Sequence, residues 1–111
     1  MSDVELYITK FPPEVKRRLT VIREIAQSVF AGSDERIYYG VPTLRLNGKD
    51  ILNYAAYKDH INLFIGYEWS DFLKTQYPQF SYIKSAVQIP HEMPFPEEFV
   101  KEVCGLLSGG I

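Results

Sequence analysis

Cysteine is almost missing from this chain of 111 residues. Cys104 stands alone, so no internal disulfide can form, and a Cys-x-x-Cys metal or redox motif is excluded. Histidine is nearly as scarce, with only His60 and His91, and no His-Glu-x-x-His pair occurs. Positive charge is not in excess: the net charge is −2 and the pI near 5.6, which supplies no electrostatic pull toward nucleic acid or anionic membrane. Long apolar runs are lacking too, and none approaches the ~20 residues that a membrane span needs. The Met-Ser-Asp-Val-Glu start is acidic and polar where an export leader is basic and then apolar. Together these absences lead us to expect a cytoplasmic protein with neither nucleic-acid nor membrane partners.

The motifs of catalysis are thin as well. Ser33, Ser70, Ser81, Ser85 and Ser108 sit in no Gly-x-Ser-x-Gly elbow, and no phosphate-binding glycine loop or dinucleotide fingerprint is present. Cys104 falls at an apolar position, which suits a buried thiol better than a nucleophile. The residues therefore point away from an enzyme.

Aromatics are plentiful, with seven phenylalanines, eight tyrosines and one tryptophan among 46% hydrophobic residues. That supports one domain over residues 1–111 with a packed core, and folding needs no cofactor. Between Glu35 and Ile65, β-branched and aromatic residues recur, broken by Gly40-Val41-Pro42, Asn47-Gly48 and Lys58-Asp59. This is the pattern of an antiparallel meander. It predicts strands over Arg36 to Tyr39, Thr43 to Leu46, Asp50 to Tyr57 and His60 to Ile65. A two-residue turn at Lys58-Asp59 puts Leu52, Tyr54, Ala56, Ile61, Leu63 and Ile65 on one face. At Asn47-Gly48 a three-residue loop with a bulge is expected, because it keeps Leu44 and Leu46 on that face.

Helices flank the meander. Ser2 and Glu5 form a capping box. Pro12-Pro13-Glu14 opens a longer helix carrying Val15, Leu19, Ile22, Ala26 and Val29, with its cations mostly on other faces and Gly32 as its stop. Gly66-Tyr67 opens a third helix, closed before Pro78. Ile83 to Ile89 reads as a fifth strand, and Pro96 opens the last helix, with Gly109-Gly110 as a tail. The fold class is α+β, a mainly antiparallel five-stranded sheet with helices on one face.

Glu35, Tyr39-Gly40-Val41-Pro42, Gly48-Lys49, Ala55-Ala56, His60, Lys84-Ser85, Ile89-Pro90 and Pro96 occur together in an order that resembles the YdhG-like family, a domain of unknown function. Two departures stand out. The segment before Glu35 lacks the family's usual proline, and Lys84-Ser85-Ala86-Val87 replaces the commoner Lys-Gly-Thr/Ala-Ile. The resemblance implies a two-layer α-β(3)-α-β(2)-α fold and a homodimer. Some members are described as frataxin-like intracellular iron chaperones. That implies transient Fe(II) binding and delivery to iron–sulfur assembly proteins or to ferrochelatase in haem synthesis.

Two candidate sites follow. Weak iron binding wants carboxylates and imidazole, and Glu35, His91, Glu92, Glu98 and Glu102 are the candidates, with Glu98 and Glu102 one helical turn apart. The competing view of these acids is a solvated helix face. Alternatively, Tyr38, Tyr39, Tyr54, Tyr57, Phe64, Tyr67 and Trp69 could wall an aromatic pocket, with Glu35, His60 and Lys84 as its polar groups. Within that view Glu35, Tyr39, Tyr57, His60 and Lys84 are the ligand-binding candidates of a small-ligand or protein-partner module. Core packing is the plainer use of the same aromatics.

Overall fold

The computed structural model describes residues 1–109. Helix α1 spans Asp3–Thr9 and α2 spans Pro13–Val29; β1 to β4 cover Asp34–Tyr38, Val41–Leu46, Lys49–Ala56 and His60–Phe64. Then come α3 (Tyr67–Gln76), β5 (Ser81–Ile83), β6 (Ala86–Pro90) and α4 (Glu97–Gly109). The strands form one sheet in the order β1-β2-β3-β4-β6-β5, every neighbouring pair antiparallel. The helices lie on one face of it.

The Ser2–Glu5 capping box caps α1, and proline opens α2. Register at the β3–β4 hairpin is as alternation requires. Ala56 opposes Ile61, and the Tyr57 N–H donates to the His60 carbonyl at 2.7 Å. Leu52, Tyr54, Ala56, Ile61, Leu63 and Ile65 are all buried in one core, with Leu19, Ile22 and Ala26 of α2 and Val100, Val103 and Leu107 of α4.

Four expectations are corrected. First, the chain turns at Tyr39-Gly40, and Val41-Pro42 belongs to β2. Both turn residues are left-handed, φ 54° and 78°. Pro42 opposes Ile37, a position that exchanges no ladder bonds with β1, and pairing with β3 begins only at Thr43. Second, Asn47-Gly48 is a tight two-residue turn with Leu46 opposite Lys49, both turn residues again left-handed. The bulge lies inside the ladder: Leu44 faces Leu52 while Arg45 faces Asp50, so Ile51 is the extra residue. Leu44 is thereby buried, and Leu46 is only half-buried. Third, the fifth strand is a hairpin, β5 and β6, so the sheet has six strands. Its turn is Lys84-Ser85. Lys84 takes the left-handed conformation (φ 53°), so Ser85 needs no glycine-like backbone. Fourth, Gly109 is the last residue of α4, while Gly110 lies outside the described residues.

One buried cation escaped the helical pattern. Arg18 is 4% exposed. Its guanidinium donates to Glu14 Oε2 at 2.9 Å and to the carbonyls of Pro90 and Met93, and it lies 5.7 Å from the Phe95 ring centroid. It fastens the β6–α4 loop to α2.

Candidate functional site on the helix-free sheet face

Alternation that sends Leu52, Tyr54 and Leu63 under the helices sends their neighbours to the other face. The register places Arg36, Thr43, Asn53, Phe64, Ala86 and Ile83 in one row across all six strands. A second row runs through Ala55, Asn62, Gln88 and Ser81, Tyr38 opposes Val41 at the β1–β2 turn, and Tyr57, His60 and Pro90 begin a third row. No helix covers these rows. Even so, Thr43, Ala55 and Ala86 are fully buried while standing outside the hydrophobic core, because longer side chains shelter them. The face is therefore a polar floor of small side chains with an aromatic rim.

The polar floor is largely self-satisfied. Asn53 Nδ2 donates to Thr43 Oγ1 at 2.6 Å, and Thr43 Oγ1 donates to the Val41 carbonyl at 3.1 Å. Gln88 Nε2 lies 3.1 Å from His60 Nε2. As placed, the amide nitrogen donates and His60 Nε2 accepts. Asn62 Oδ1 is buried between these groups without a partner.

Within this face lies a concavity of about 330 Å³, lined by Tyr39, Val41, Asp50, Asn53, Tyr57, Phe64 and Ser85. Tyr57 is fixed at both backbone ends: its N–H goes to the His60 carbonyl, and its own carbonyl accepts from His91 Nε2 at 2.8 Å. Its ring stacks on His60 at 5.2 Å and stays 46% exposed. Tyr39 sits at the hairpin tip, edge-on to Tyr38 at 4.4 Å and 86% exposed. Left-handed tyrosine is sterically disfavoured, and turn positions of this kind usually take Asn or Gly. Ser85 is placed by its carbonyl, which receives the N–H groups of Ile65 (2.8 Å) and Gly66 (3.1 Å). Asp50 accepts from Arg45 Nε at 3.0 Å.

The ligand-binding candidates divide accordingly. Tyr39 and Tyr57 line the concavity, His60 backs Tyr57, and Lys84 occupies the turn beside Ser85. Glu35 belongs to the other face, opposite Leu44, where it binds Arg23 at 2.9 Å. Of the other aromatics, Tyr54 is under the helices, its hydroxyl buried without a partner and its pKa raised by burial. Tyr67 and Trp69 are on α3. Asp50, Asn53 and Val41 were not among the ligand-binding candidates; opposite parity to Leu52 and Tyr54 is the sign that marks Asn53.

The iron candidates stand apart. Glu35 holds Arg23, Glu98 holds Lys101 at 3.4 Å, and Glu102 accepts from the Tyr77 hydroxyl. His91 and Glu92 flank a separate hollow beside Lys58 and Asp59. Among the described residues no group of three or more His, Cys, Asp or Glu side chains is placed to hold a metal ion. Cys104 is buried, and burial pushes its thiol up to about 11, far from a working nucleophile.

No protein-family model and no curated protein matches the chain. Among solved structures it is similar to a Bacillus subtilis protein of the DUF1801 family, YdhG, at 14% identity. The match covers 94% of this chain and 87% of that one, with a TM-score of 0.83. At that identity the likeness is one of fold. The chain has the YdhG-like fold, in agreement with the resemblance carried by its motifs.

Proposed function

We propose that this protein is a non-enzymatic binding module whose helix-free sheet face receives a small organic ligand. One observation carries the reading. A sheet face that no helix covers holds a concavity whose walls are aromatic and whose floor is amide and hydroxyl. Its volume is at the lower end of the ~300–1,000 Å³ typical of ligand pockets.

The test is a fragment screen followed by amide chemical shifts, with single-ring amides such as benzamide as first probes. Shifts gathered at Asn53, Tyr57, Phe64 and Ser85 support the reading. Shifts confined to the helices, or none, reject it.

Ferrous-iron delivery, which the family resemblance implies, would require Glu35, Glu98 and Glu102 to leave Arg23, Lys101 and Tyr77. Anaerobic calorimetry with Fe(II) decides it: micromolar binding that weakens in Glu35→Gln would restore the iron reading.

A further inference from the structure

We propose that the concavity is built for an organic cation, a quaternary or methylated ammonium group, with Asp50 as its counter-charge. This rests on the small-ligand reading above and narrows it to one ligand class. Three rings line the space, those of Tyr39, Tyr57 and Phe64. Among the lining residues Asp50 bears the sole charge, and it is negative. Ring faces carry negative potential, and a carboxylate beside them deepens it, so a cation gains from the rings and from Asp50 together. A neutral ligand gains only by burial, and an anion meets repulsion from Asp50.

The same face already holds a cation by this chemistry. The guanidinium of Arg45 lies 6.0 Å over the Tyr38 ring while its Nε donates to Asp50 Oδ1. The Asp50 side chain keeps 36% of its surface exposed in that pair and lines the concavity, so a second cation there can meet its carboxylate. A methylated ammonium suits the remaining space better than a primary amine. Its methyl groups need no hydrogen-bond acceptors, and the Thr43 hydroxyl of the floor is already engaged, accepting from the Asn53 amide and donating to the Val41 carbonyl.

The hairpin tip adds a second line of support. Tyr39 holds a left-handed backbone that Asn would adopt at lower cost, and its ring is left largely in water. That cost makes sense where the ring is wanted as a wall that a ligand completes.

The experiment is amide-shift titration of the labelled protein in phosphate buffer with choline, with its neutral isostere 3,3-dimethylbutanol, and with benzamide. Choline should shift Asn53, Tyr57, Phe64 and Ser85 and bind about fivefold or more tighter than the isostere. Asp50→Asn should remove most of that preference. Tyr39→Asn, which suits the turn, should weaken choline about threefold without lowering the melting temperature. It also serves if Asp50→Asn fails to fold. Equal binding of choline and its isostere overturns the cation assignment, as does choline affinity unchanged in both variants; benzamide still binding here would leave the small-ligand reading intact. No shift on this face with any of the three overturns both. A trimethyl-lysine amide in parallel tells the sources apart: tighter binding than choline indicates a methylated chain, weaker binding a free small molecule.

Discussion

Leu63 and Phe64 are neighbours on one strand and live in different solvents. Leu63 is fully buried beneath the helices; Phe64 is half-buried and borders the concavity. The side chains packed under the helices form a single hydrophobic core, with the Tyr54 hydroxyl within it and the Glu35–Arg23 pair also on that face. The other face keeps amides, hydroxyls and an imidazole bonded to one another, with rings at the rim. One side of the sheet therefore sets stability, and the other is free to be used.

Substitutions sharpen the contrast, and the largest effect belongs to the core. Leu63→Ala should cost about 3 kcal/mol in urea unfolding, because it opens a cavity among packed side chains. Phe64→Ala should cost about 1 kcal/mol, since its ring is half in water already. Equal costs would mean that the two faces are not different. Arg18→Ala comes next, at about 2 kcal/mol, because the Pro90 and Met93 carbonyls lose their donor in a buried setting.

Smaller effects change sign. Tyr39→Asn should stabilise by about 0.5–1 kcal/mol by relieving a left-handed tyrosine. A thermal melt checks it. Tyr54→Phe should be neutral or slightly stabilising, because the buried hydroxyl it removes bonds to nothing.

The smallest effect is electrostatic. Hydrogen bonds from Arg17 and then Arg18 bring the Glu14 carboxyl down from 4.5 to about 2. Between those values the unfolded chain binds more protons than the folded one, so stability rises with pH. The contribution is complete above 4.5 and lost as pH falls through about 2. Glu14→Gln should flatten the acid limb of the stability profile in that window: the variant is less stable above pH 4.5, by a small amount because the carboxyl is exposed, and the two proteins converge as pH falls to about 2.

Much of the covered face was legible from alternation alone. Leu52, Tyr54, Ala56, Ile61, Leu63 and Ile65 follow a period of two through a short turn, and burial enforces it. What escaped is local backbone geometry. The left-handed residues at three hairpin tips include Tyr39 and Lys84, which no propensity favours there. The Ile51 bulge moves an irregularity from the loop into the ladder. Arg18 looks like a surface cation until the β6–α4 loop supplies its acceptors from far along the chain.

The site was half legible. Aromatic rim residues stood out by type, but Asp50 and Asn53 are ordinary residues given meaning by the register. Glu35 matched a motif, yet parity puts it beneath the helices, in an ion pair with Arg23.

The account turns on the uncovered face being open in solution. Hydroxyl-radical footprinting of dilute protein, read residue by residue in a mass spectrometer, measures this directly. Oxidation of Tyr39, Tyr57 and Phe64, with Leu63 protected at every concentration, is the predicted result. Protection of Tyr57 and Phe64 that strengthens with protein concentration would contradict it, because a second copy of the chain would then be occupying the face.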